Sequence, residues 1–460
     1  MPLPVDQVHR RGRRRLRLQL ASISIASLSL ALAACGGSGG GSGSGSGSES
    51  ANSTLTVQAQ TLQIPTFQAV ADAFEAQHAG VTVDVQTLTD DQKNTTNAQI
   101  LASDNPPDVG IVPINATPYT QLSKAKQLLP LDDVWQAADL QKRYGPAADS
   151  LKSGGTPYLA QFDSVLYNII YYNKDAFAKA GVTAPKNHQL ASDADLYSAV
   201  TKLKGAGYDG LAIGGGTSNG YKYGWLLDAQ LAANADPAAL ENLNTSWQPG
   251  ATQTVRYTDP AFTSSLQQLQ DWQDNKVFPT GHVASTDEQS LADFVAGKTG
   301  MYISHNLAVG DLEKAKPKFD YDWLLMPSAT PGKGTLPTTY SGNTFAVPKN
   351  SDSPDLAKQF IEFYLTDEMQ AKQAELAGQL PAVNTVTTDK LSSLPPLVQD
   401  VVAFAGKNGT GAGWTSVTPG PLGQAFIGPE LQKQLNGEQT VAETADDTQK
   451  NYEKFVAQNK

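Results

Sequence analysis

One pentapeptide of the chain has the spacing of a hydrolytic nucleophile. The stretch GTSNG (residues 216–220) matches the G-x-S-x-G pattern of a nucleophile elbow, and a strand is predicted just before it. Catalysis by Ser218 requires a histidine base and an oxyanion-forming motif. His282 and His305 follow the serine, but no HGGG-type motif accompanies them. A glycine-rich binding or connecting loop explains the pattern better, so we do not expect an enzyme, and an esterase that uses Ser218 is kept as an alternative.

The remaining reactive side chains form no recognisable metal or phosphate motif. Beyond residue 34 the histidines are His78, His188, His282 and His305, which are scattered along the chain, and Cys35 is the single cysteine. Zinc sites need closely spaced cysteine and histidine ligands. We therefore expect neither a metal nor a cofactor.

The position of Cys35 indicates an export signal. Six arginines between residues 10 and 17 precede an apolar, serine-diluted stretch that ends in small residues, which is typical of a secretory signal. Leu32-Ala33-Ala34-Cys35 resembles the lipobox of bacterial lipoproteins, in which cleavage leaves the cysteine first and its thiol carries a diacylglycerol. We predict a signal peptide over residues 1–34, and a lipidated Cys35 with a flexible Gly/Ser tether over 35–53. Both general and twin-arginine export fit the arginine-rich head.

The charge of the chain disfavours nucleic acid as a partner. The formal net charge is −11, and removal of residues 1–34 takes away six arginines and one aspartate, which leaves about −16. Such a surface repels nucleic acid and anionic lipid headgroups. Roughly 400 residues lie beyond the tether, enough for two substantial lobes.

Hydrophobic periodicity predicts a βαβ unit at the start of the folded region. Residues 54–60 alternate apolar and polar side chains, and residues 81–85 do so again. Between them Phe67, Val70 and Phe74 form one apolar helical stripe. A strand, a helix and a second strand in this order indicate a parallel sheet.

The same alternation recurs along the chain. The β-branched and aromatic run at 166–173 predicts a strand, after which Asn173 can cap a helix that Gly181 ends. Asp259-Pro260 and Ser353-Pro354 predict two further helix starts. With short strands between them, the pattern favours a three-layer α/β architecture.

Eight segments, taken in order, resemble motifs of the extracellular solute-binding proteins of ABC importers, in particular the family 1 type that takes up sugars. They are FQAVADAFEAQHAGVTVDV, ASDNPPDVGIV, LLPLDDVW, LYNIIYYNKDAFAKAGVTAP, FVAGKTGMYISHN, YDWLLMPSATPGKGT, FAVPKNSDSPDLAKQFIEFYLTDEMQ and AGQLPAV. The resemblance implies a two-lobed, type II periplasmic-binding-protein-like α/β fold. Each lobe would hold a mainly parallel sheet flanked by helices, with hinge crossings near Asp163, Tyr340 and Pro381.

The same resemblance implies the domains and the function. The first lobe would comprise residues 54–163 and 341–380, and the second lobe residues 164–340 and 381–460. The protein would be a monomer, held by its lipid on the outer face of the cell membrane. It would bind a mono- or oligosaccharide between the lobes and deliver it to the transmembrane subunits of an ABC permease.

A sugar presents hydroxyl groups and apolar C–H faces, so its site needs amide or carboxylate side chains and aromatic rings. The resemblance places ten suitable residues at cleft positions: Gln60, Gln63, Asn115, Asp163, Trp225, His305, Asn306, Tyr340, Asn343 and Trp414. Trp414 is expected in a flexible loop.

Several of these residues also have a purely structural explanation. Gln60 and Gln63 fit a solvated loop, Asp163 a structural ion pair, Trp225 the core and His305 a buried, hydrogen-bonded histidine. The sequence also departs from the family, because His305 replaces a turn glycine and Leu307 a frequent tryptophan. The ligand therefore stays open to a small or unusual saccharide, a polyol or a glycerol phosphodiester, and a purely sensory role stays open as well.

Overall fold

The computed structural model of the chain describes residues 53–459 except 90–91, 94–95, 115, 154, 249, 331 and 341. The predicted signal peptide, Cys35 and the tether up to residue 52 lie outside these residues, as does Asn115.

Short strands alternate with helices along the chain. The strands are β1 (Ser53–Gln60), β2 (Val81–Leu88), β3 (Gly110–Ile111), β4 (Lys152–Ser153), β5 (Thr156–Pro157), β6 (Ala160–Gln161), β7 (Asp163–Asn173), β8 (Asp209–Ala212), β9 (Thr299–His305), β10 (Tyr321–Leu324), β11 (Thr338–Tyr340), β12 (Thr344–Ala346), β13 (Leu380–Pro381) and β14 (Gly411–Ala412).

The helices cover the sheets and fill the long connections. They are α1 (Ile64–Glu75), α2 (Asn97–Leu101), α3 (Thr117–Lys124), α4 (Asp132–Ala137), α5 (Leu140–Arg143), α6 (Lys174–Ala180), α7 (Asp193–Gly205), α8 (Tyr221–Asn234), α9 (Pro237–Thr245), α10 (Pro260–Asp274), α11 (Asp287–Val295), α12 (Ala308–Ala315), α13 (Pro354–Tyr364), α14 (Asp367–Ala377), α15 (Pro396–Asn408), α16 (Trp414–Val417), α17 (Gln424–Leu435) and α18 (Val441–Asn459).

The first lobe is built on the predicted βαβ unit. β1 and β2 pair in parallel from Ser53 opposite Val81 to Gln60 opposite Leu88, and α1 connects them. A parallel bridge from Val57 to Val109 adds β3. β12 then lies between β3 and β6 and is antiparallel to both.

The second lobe is organised around β7, the longest strand. In its sheet the order is β14-β11-β7-β9-β8, and β10 and β13 also pair with β7. Only the β8–β9 and β11–β14 pairs of this sheet are parallel. The expectation of a mainly parallel sheet is therefore wrong for this lobe, because β9, β10, β11 and β13 all run antiparallel to β7. In the first lobe the β1–β2 sheet is parallel and the β3-β12-β6 sheet is antiparallel.

Local signals in the sequence set most element boundaries. The Asn173 side chain accepts a hydrogen bond from the Ala176 amide at 2.8 Å, and α6 ends at Gly181 with a φ of 65°. Such a positive φ favours glycine because it has no Cβ. Asp259 and Ser353 do precede their helices, but neither side chain caps its helix in the structure. The prolines alone therefore mark these two starts.

Aromatic packing fixes the segment that leads into β7. In the first core the Phe162 ring stacks on Phe345 with centroids 4.1 Å apart, and Phe67 lies 5.5 Å from Phe162. All three rings are fully buried. Since truncating a buried aromatic ring to alanine costs about 3–5 kcal/mol, this packing holds the residue that follows, Asp163, in place.

Candidate functional site

A buried carboxylate lies at the first residue of β7, the strand with which most others of its sheet pair. Asp163 is fully buried, and its oxygens accept hydrogen bonds from Gln63 Nε2 at 3.1 Å, Gln379 Nε2 at 3.0 Å, Asn343 Nδ2 at 2.8 Å and the Asn343 amide at 2.5 Å. We call Gln63, Asp163, Asn343 and Gln379 the hinge network. Asp163, Asn343 and Gln379 lie at or near the three crossings that the resemblance implies, and Gln63 ends the short turn that follows β1. Pro381 of β13 pairs directly with Asp163.

Burial dominates the electrostatics of this network. It raises the pKa of Asp163 above its usual range, while the donors from Asn343 and the charge of Lys93 oppose that rise. Both carboxylate oxygens accept hydrogen bonds within the network, three at Oδ2 and one at Oδ1. Asp163 therefore has a structural role in this conformation, and its role as a ligand-binding residue stays a prediction.

Two acceptors of the hinge network have no hydrogen-bond partner among the described residues. They are Gln63 Oε1 and Gln379 Oε1, and both side chains are more than nine-tenths buried. A buried polar atom without a partner costs roughly 1–3 kcal/mol. Each amide is held by its Nε2 hydrogen bond to Asp163, so its oxygen is available to a donor.

An aromatic cluster lies on the second lobe and consists of Tyr167, Tyr221, Trp225 and His305. The Trp225 centroid lies 4.3 Å from Tyr167, 4.8 Å from Tyr221 in an edge contact, and 6.0 Å from His305. Trp225 itself is only 8% exposed. Its ring is therefore largely packed, and Tyr167 and Tyr221 cover it.

His305 and Asn306 contribute polar atoms beside these rings. Burial, assisted by the charge of Lys222, lowers the pKa of His305 to about 3, so the imidazole is neutral near pH 7. His305 Nδ1 and Asn306 Nδ2 are buried without a hydrogen-bond partner in the described part of the chain. Asn306 Oδ1 accepts from the Leu166 amide at 2.9 Å, which fixes the orientation of its side chain.

Strand β7 connects the hinge network with the aromatic cluster. Asp163 and Tyr167 are four residues apart on it, so they share one face and their Cα atoms are separated by about 13 Å. The β7–β9 pairing places His305 opposite Tyr167. Strand β7 thus carries one residue of the hinge network and one residue of the aromatic cluster on the same face.

The other predicted site residues have different outcomes. Gln60 ends β1, half-buried, and the backbone of Tyr340 pairs with Val165, while the Tyr340 side chain lies outside the described part. Trp414 is fully buried in α16, where its Nε1 donates to Tyr257 Oη at 3.2 Å. Its prediction as a stacking platform in a flexible loop is wrong, because the ring fills the second core.

Sequence reasoning missed three members of this region. Gln379 belongs to the AGQLPAV segment but was not assigned a role, and Tyr167 and Tyr221 were passed over beside Trp225. The alternation of β7 could have indicated Tyr167, because it shares a face with Asp163. Nothing in the sequence marks Tyr221, whose contact depends on how α8 docks.

The esterase alternative gains no support from the histidines. The GTSNG stretch includes a 3₁₀ turn, Thr217–Gly220, and the Ser218 side chain lies outside the described part. His282 is engaged at both ring nitrogens, with Tyr223 Oη at 2.5 Å and Gln273 Oε1 at 2.9 Å. Burial lowers the pKa of His282 to about 4.

The described residues offer neither a metal site nor a membrane-spanning helix. No group of three or more His, Cys, Asp or Glu side chains there could hold a metal ion. Within the same residues, every helix is too short or too polar to cross a bilayer. Two open surface cavities, of about 400 and 510 Å³, are lined by residues between 182 and 202 and between 281 and 298, away from the aromatic cluster.

Comparison with known proteins identifies the class. The family described as bacterial extracellular solute-binding protein matches residues 59–371. An uncharacterized ABC transporter extracellular-binding protein of Pyrococcus horikoshii is 24% identical over 261 residues, which cover 56% of this chain and 54% of that protein. The chain thus spans about half the length of that relative. An sn-glycerol-3-phosphate-binding periplasmic protein of Shigella flexneri is 25% identical over 266 residues, covering 56% of this chain and 57% of that protein.

Among solved structures, a chitin oligosaccharide binding protein superimposes with a TM-score of 0.73 at 20% identity, covering 88% of this chain and 99% of the other. This match confirms the two-lobed periplasmic-binding-protein fold. The chain belongs to the family of bacterial extracellular solute-binding proteins. The family acts by binding a solute outside the cytoplasm, and its proteins are binding proteins rather than enzymes.

Proposed function

We propose that the protein binds a carbohydrate in the cleft between its lobes and delivers it to the transmembrane subunits of an ABC importer. Family membership supports the solute-binding role, and the relative from Pyrococcus supports the link to an ABC transporter. The structural match to a chitin oligosaccharide binding protein supports a sugar as the solute.

One observation carries the choice of ligand class: Asp163 of the hinge network and Tyr167 of the aromatic cluster lie on the same strand, β7, and residues beside each of them have buried, unpaired hydrogen-bonding atoms. Gln63 Oε1 and Gln379 Oε1 can accept from ligand hydroxyls, and Asn306 Nδ2 can donate to them. Tyr167, which is partly exposed and packs on Trp225, can face the C–H side of a sugar ring. A sugar is the solute that satisfies both kinds of surface together.

The relative that binds sn-glycerol 3-phosphate motivates the second candidate, a glycerol phosphate ester. A phosphate needs cationic partners. Near the aromatic cluster, Lys222 already pairs with Asp287 at 3.0 Å, and Lys93 adds its charge beside the Asp163 carboxylate. The carbohydrate is therefore the better fit to the charges around the site.

The mode of attachment and the domain boundaries complete the proposal. Lipidation of Cys35, after removal of residues 1–34, would hold the protein on the outer face of the membrane through the tether at 35–53. The lobes would comprise residues 54–163 with 341–380 and residues 164–340 with 381–460, in a monomer. A Cys35→Ser variant should then be released from the membrane fraction, and a parent protein that is released equally contradicts the anchor.

A thermal-shift screen tests the ligand class. Diacetylchitobiose, maltose, raffinose, galactose and sn-glycerol 3-phosphate would each be titrated against the purified protein. At 100 times its Kd, a ligand stabilises by about 2.7 kcal/mol, which amounts to roughly 3 °C in Tm for a folded region of this size. A shift with a sugar alone supports the proposal. A shift with sn-glycerol 3-phosphate alone supports the second candidate, and no shift with any sugar overturns the first.

A further inference from the structure

The interior of the second lobe contains a charged pair beneath the aromatic cluster. Lys222 is 1% exposed, and among the residues that the structure describes no other lysine is buried to this extent. Its ammonium nitrogen lies 3.0 Å from Asp287 Oδ1 and 3.4 Å from the carbonyl oxygen of Ile303. The Asp287 side chain is 24% exposed, so the lysine is the fully buried member. We call Lys222 and Asp287 the buried ion pair.

Both members of the buried ion pair contact the aromatic cluster: Lys222 lies near Trp225, and Asp287 accepts a hydrogen bond from Tyr221. The Lys222 ammonium lies 5.1 Å from the centroid of Tyr302 and 5.9 Å from that of Trp225, within the range of a cation–π interaction. The other oxygen of Asp287 accepts the hydroxyl hydrogen of Tyr221. One pair therefore holds two adjacent residues of α8, Tyr221 and Lys222, and through them the Trp225 ring.

The backbone around the buried ion pair leaves room for the Asp287 carboxylate because it has a glycine, Gly214, beside it. A Cβ on Gly214 would come within 2.0 Å of Asp287 Oδ1, so any larger residue there would displace the carboxylate. The Asp287 amide donates to Thr217 Oγ1 at 2.8 Å, which ties the start of α11 to the glycine-rich loop before α8. The loop that resembles a nucleophile elbow thus serves to seat the buried ion pair.

Stability alone does not explain this arrangement. Desolvating the Lys222 charge costs several kcal/mol, Asp287 is partly desolvated with 24% of its side chain exposed, and apolar replacements of similar volume are often as stable as a buried pair or more stable. We propose that Lys222 and Asp287 are positioning residues, which hold Tyr221 and Trp225 in the orientation that receives the ligand. This inference rests on the proposed sugar-binding function. It assigns to Lys222 and Asp287 a role in setting the affinity of the second lobe for the sugar.

A double-mutant cycle separates positioning from plain structural support. The variants are Lys222→Met, Asp287→Asn and the double variant Lys222→Met/Asp287→Asn. Asp287→Asn leaves the buried Lys222 charge uncompensated and should lose stability, and Lys222→Met, which leaves a carboxylate that is 24% exposed, should lose less. The double variant carries no charge there and should regain it. We measure Tm, the Kd for the sugar that shifts the parent protein, and the near-ultraviolet circular dichroism of Trp225, defined as the parent spectrum minus that of Trp225→Phe.

A matched control is available on the same lobe. Lys433 pairs with Glu430 at 2.7 Å, but its side chain is 48% exposed and touches no ring of the cluster. Lys433→Met should leave the Kd and the Trp225 signal unchanged. If Asp287→Asn fails to fold, the parent and the double variant alone still decide the question.

The outcomes are distinct. A double variant that regains the Tm of the parent, yet binds at least tenfold more weakly and loses the Trp225 signal, supports positioning. A double variant that regains affinity and signal together with Tm shows plain structural support and overturns the inference. If no sugar binds the parent protein, the proposed function fails, and the Trp225 signal of the double variant alone decides whether the buried ion pair positions the ring.

Discussion

Removing the Asp163 carboxylate should destabilise the protein even without a ligand. The Asp163→Ala variant leaves four donors without acceptors: the buried Gln63 Nε2 and Gln379 Nε2, and the side-chain and backbone nitrogens of the half-buried Asn343. Each hydrogen bond contributes about 1 kcal/mol net, and each buried donor left unpaired costs more. Burying the carboxylate itself costs desolvation energy, which offsets part of the stability that the four hydrogen bonds contribute.

Because the four bonds belong to one network, their contributions do not add in full. We expect Asp163→Ala to lower the free energy of unfolding by about 3 kcal/mol, and Asp163→Asn, which keeps one acceptor oxygen, by about half as much. Urea titration at pH 7 with linear extrapolation measures both values. A loss below about 1 kcal/mol in Asp163→Ala would refute the assignment of Asp163 as a structural hub.

A surface carboxylate provides the control for this experiment. Asp133 accepts from Lys358 Nζ at 2.7 Å, but its side chain is 59% exposed. Exposed ion pairs contribute about 0–1 kcal/mol, so Asp133→Ala should change the unfolding free energy little. An equal loss in both variants would mean that burial of the network is not the cause.

Three further predictions concern the second lobe. Burial raises the pKa of Asp228 to about 7, so the protonated side chain contributes its full stability below about pH 4 and loses it, by about 4 kcal/mol, as the pH rises through 7. Urea titrations from pH 4 to 8 should show this loss in the parent protein and not in Asp228→Asn. Parallel pH curves for the two proteins would contradict the prediction. Trp414→Ala should lower the free energy of unfolding by about 3–5 kcal/mol and leave the sugar Kd unchanged. Trp225→Ala should raise the sugar Kd about tenfold, as measured by calorimetric titration. The reverse pattern would restore the stacking assignment of Trp414. With the pKa of His305 at about 3, the sugar Kd should be constant from pH 5 to 8, and an inflection near pH 6.5 that disappears in His305→Gln would be inconsistent with a neutral imidazole.

The sequence predicted the local elements well because their signals are local. The apolar stripe of α1, the cap at Asn173 and the left-handed Gly181 each depend on residues within one or two turns, and each is confirmed. The direction of strand pairing depends instead on where the chain crosses between lobes. Hydrophobic periodicity carries no information on the direction in which two strands pair, so it did not predict the antiparallel pairs around β7.

The site was predicted less well, for a related reason. Residue type identified Gln63, Asp163 and Asn343 as polar cleft residues, but only the fold shows that they bond to one another and leave particular oxygens free. Trp225 and Trp414 are alike in sequence, being tryptophans after glycine-rich stretches. The docking of α16 against Tyr257 decides that Trp414 belongs to the core.

The central claim is that a sugar binds between the amides of the hinge network and the rings of the aromatic cluster. Calorimetric titration of the sugar that shifts the parent protein, into the parent, Gln63→Ala and Trp225→Ala, tests it most directly. The account predicts 1:1 binding to the parent and a Kd raised about tenfold or more in each variant, since each loses a contact on one lobe. Unchanged affinity in both variants would place the ligand elsewhere and contradict the claim.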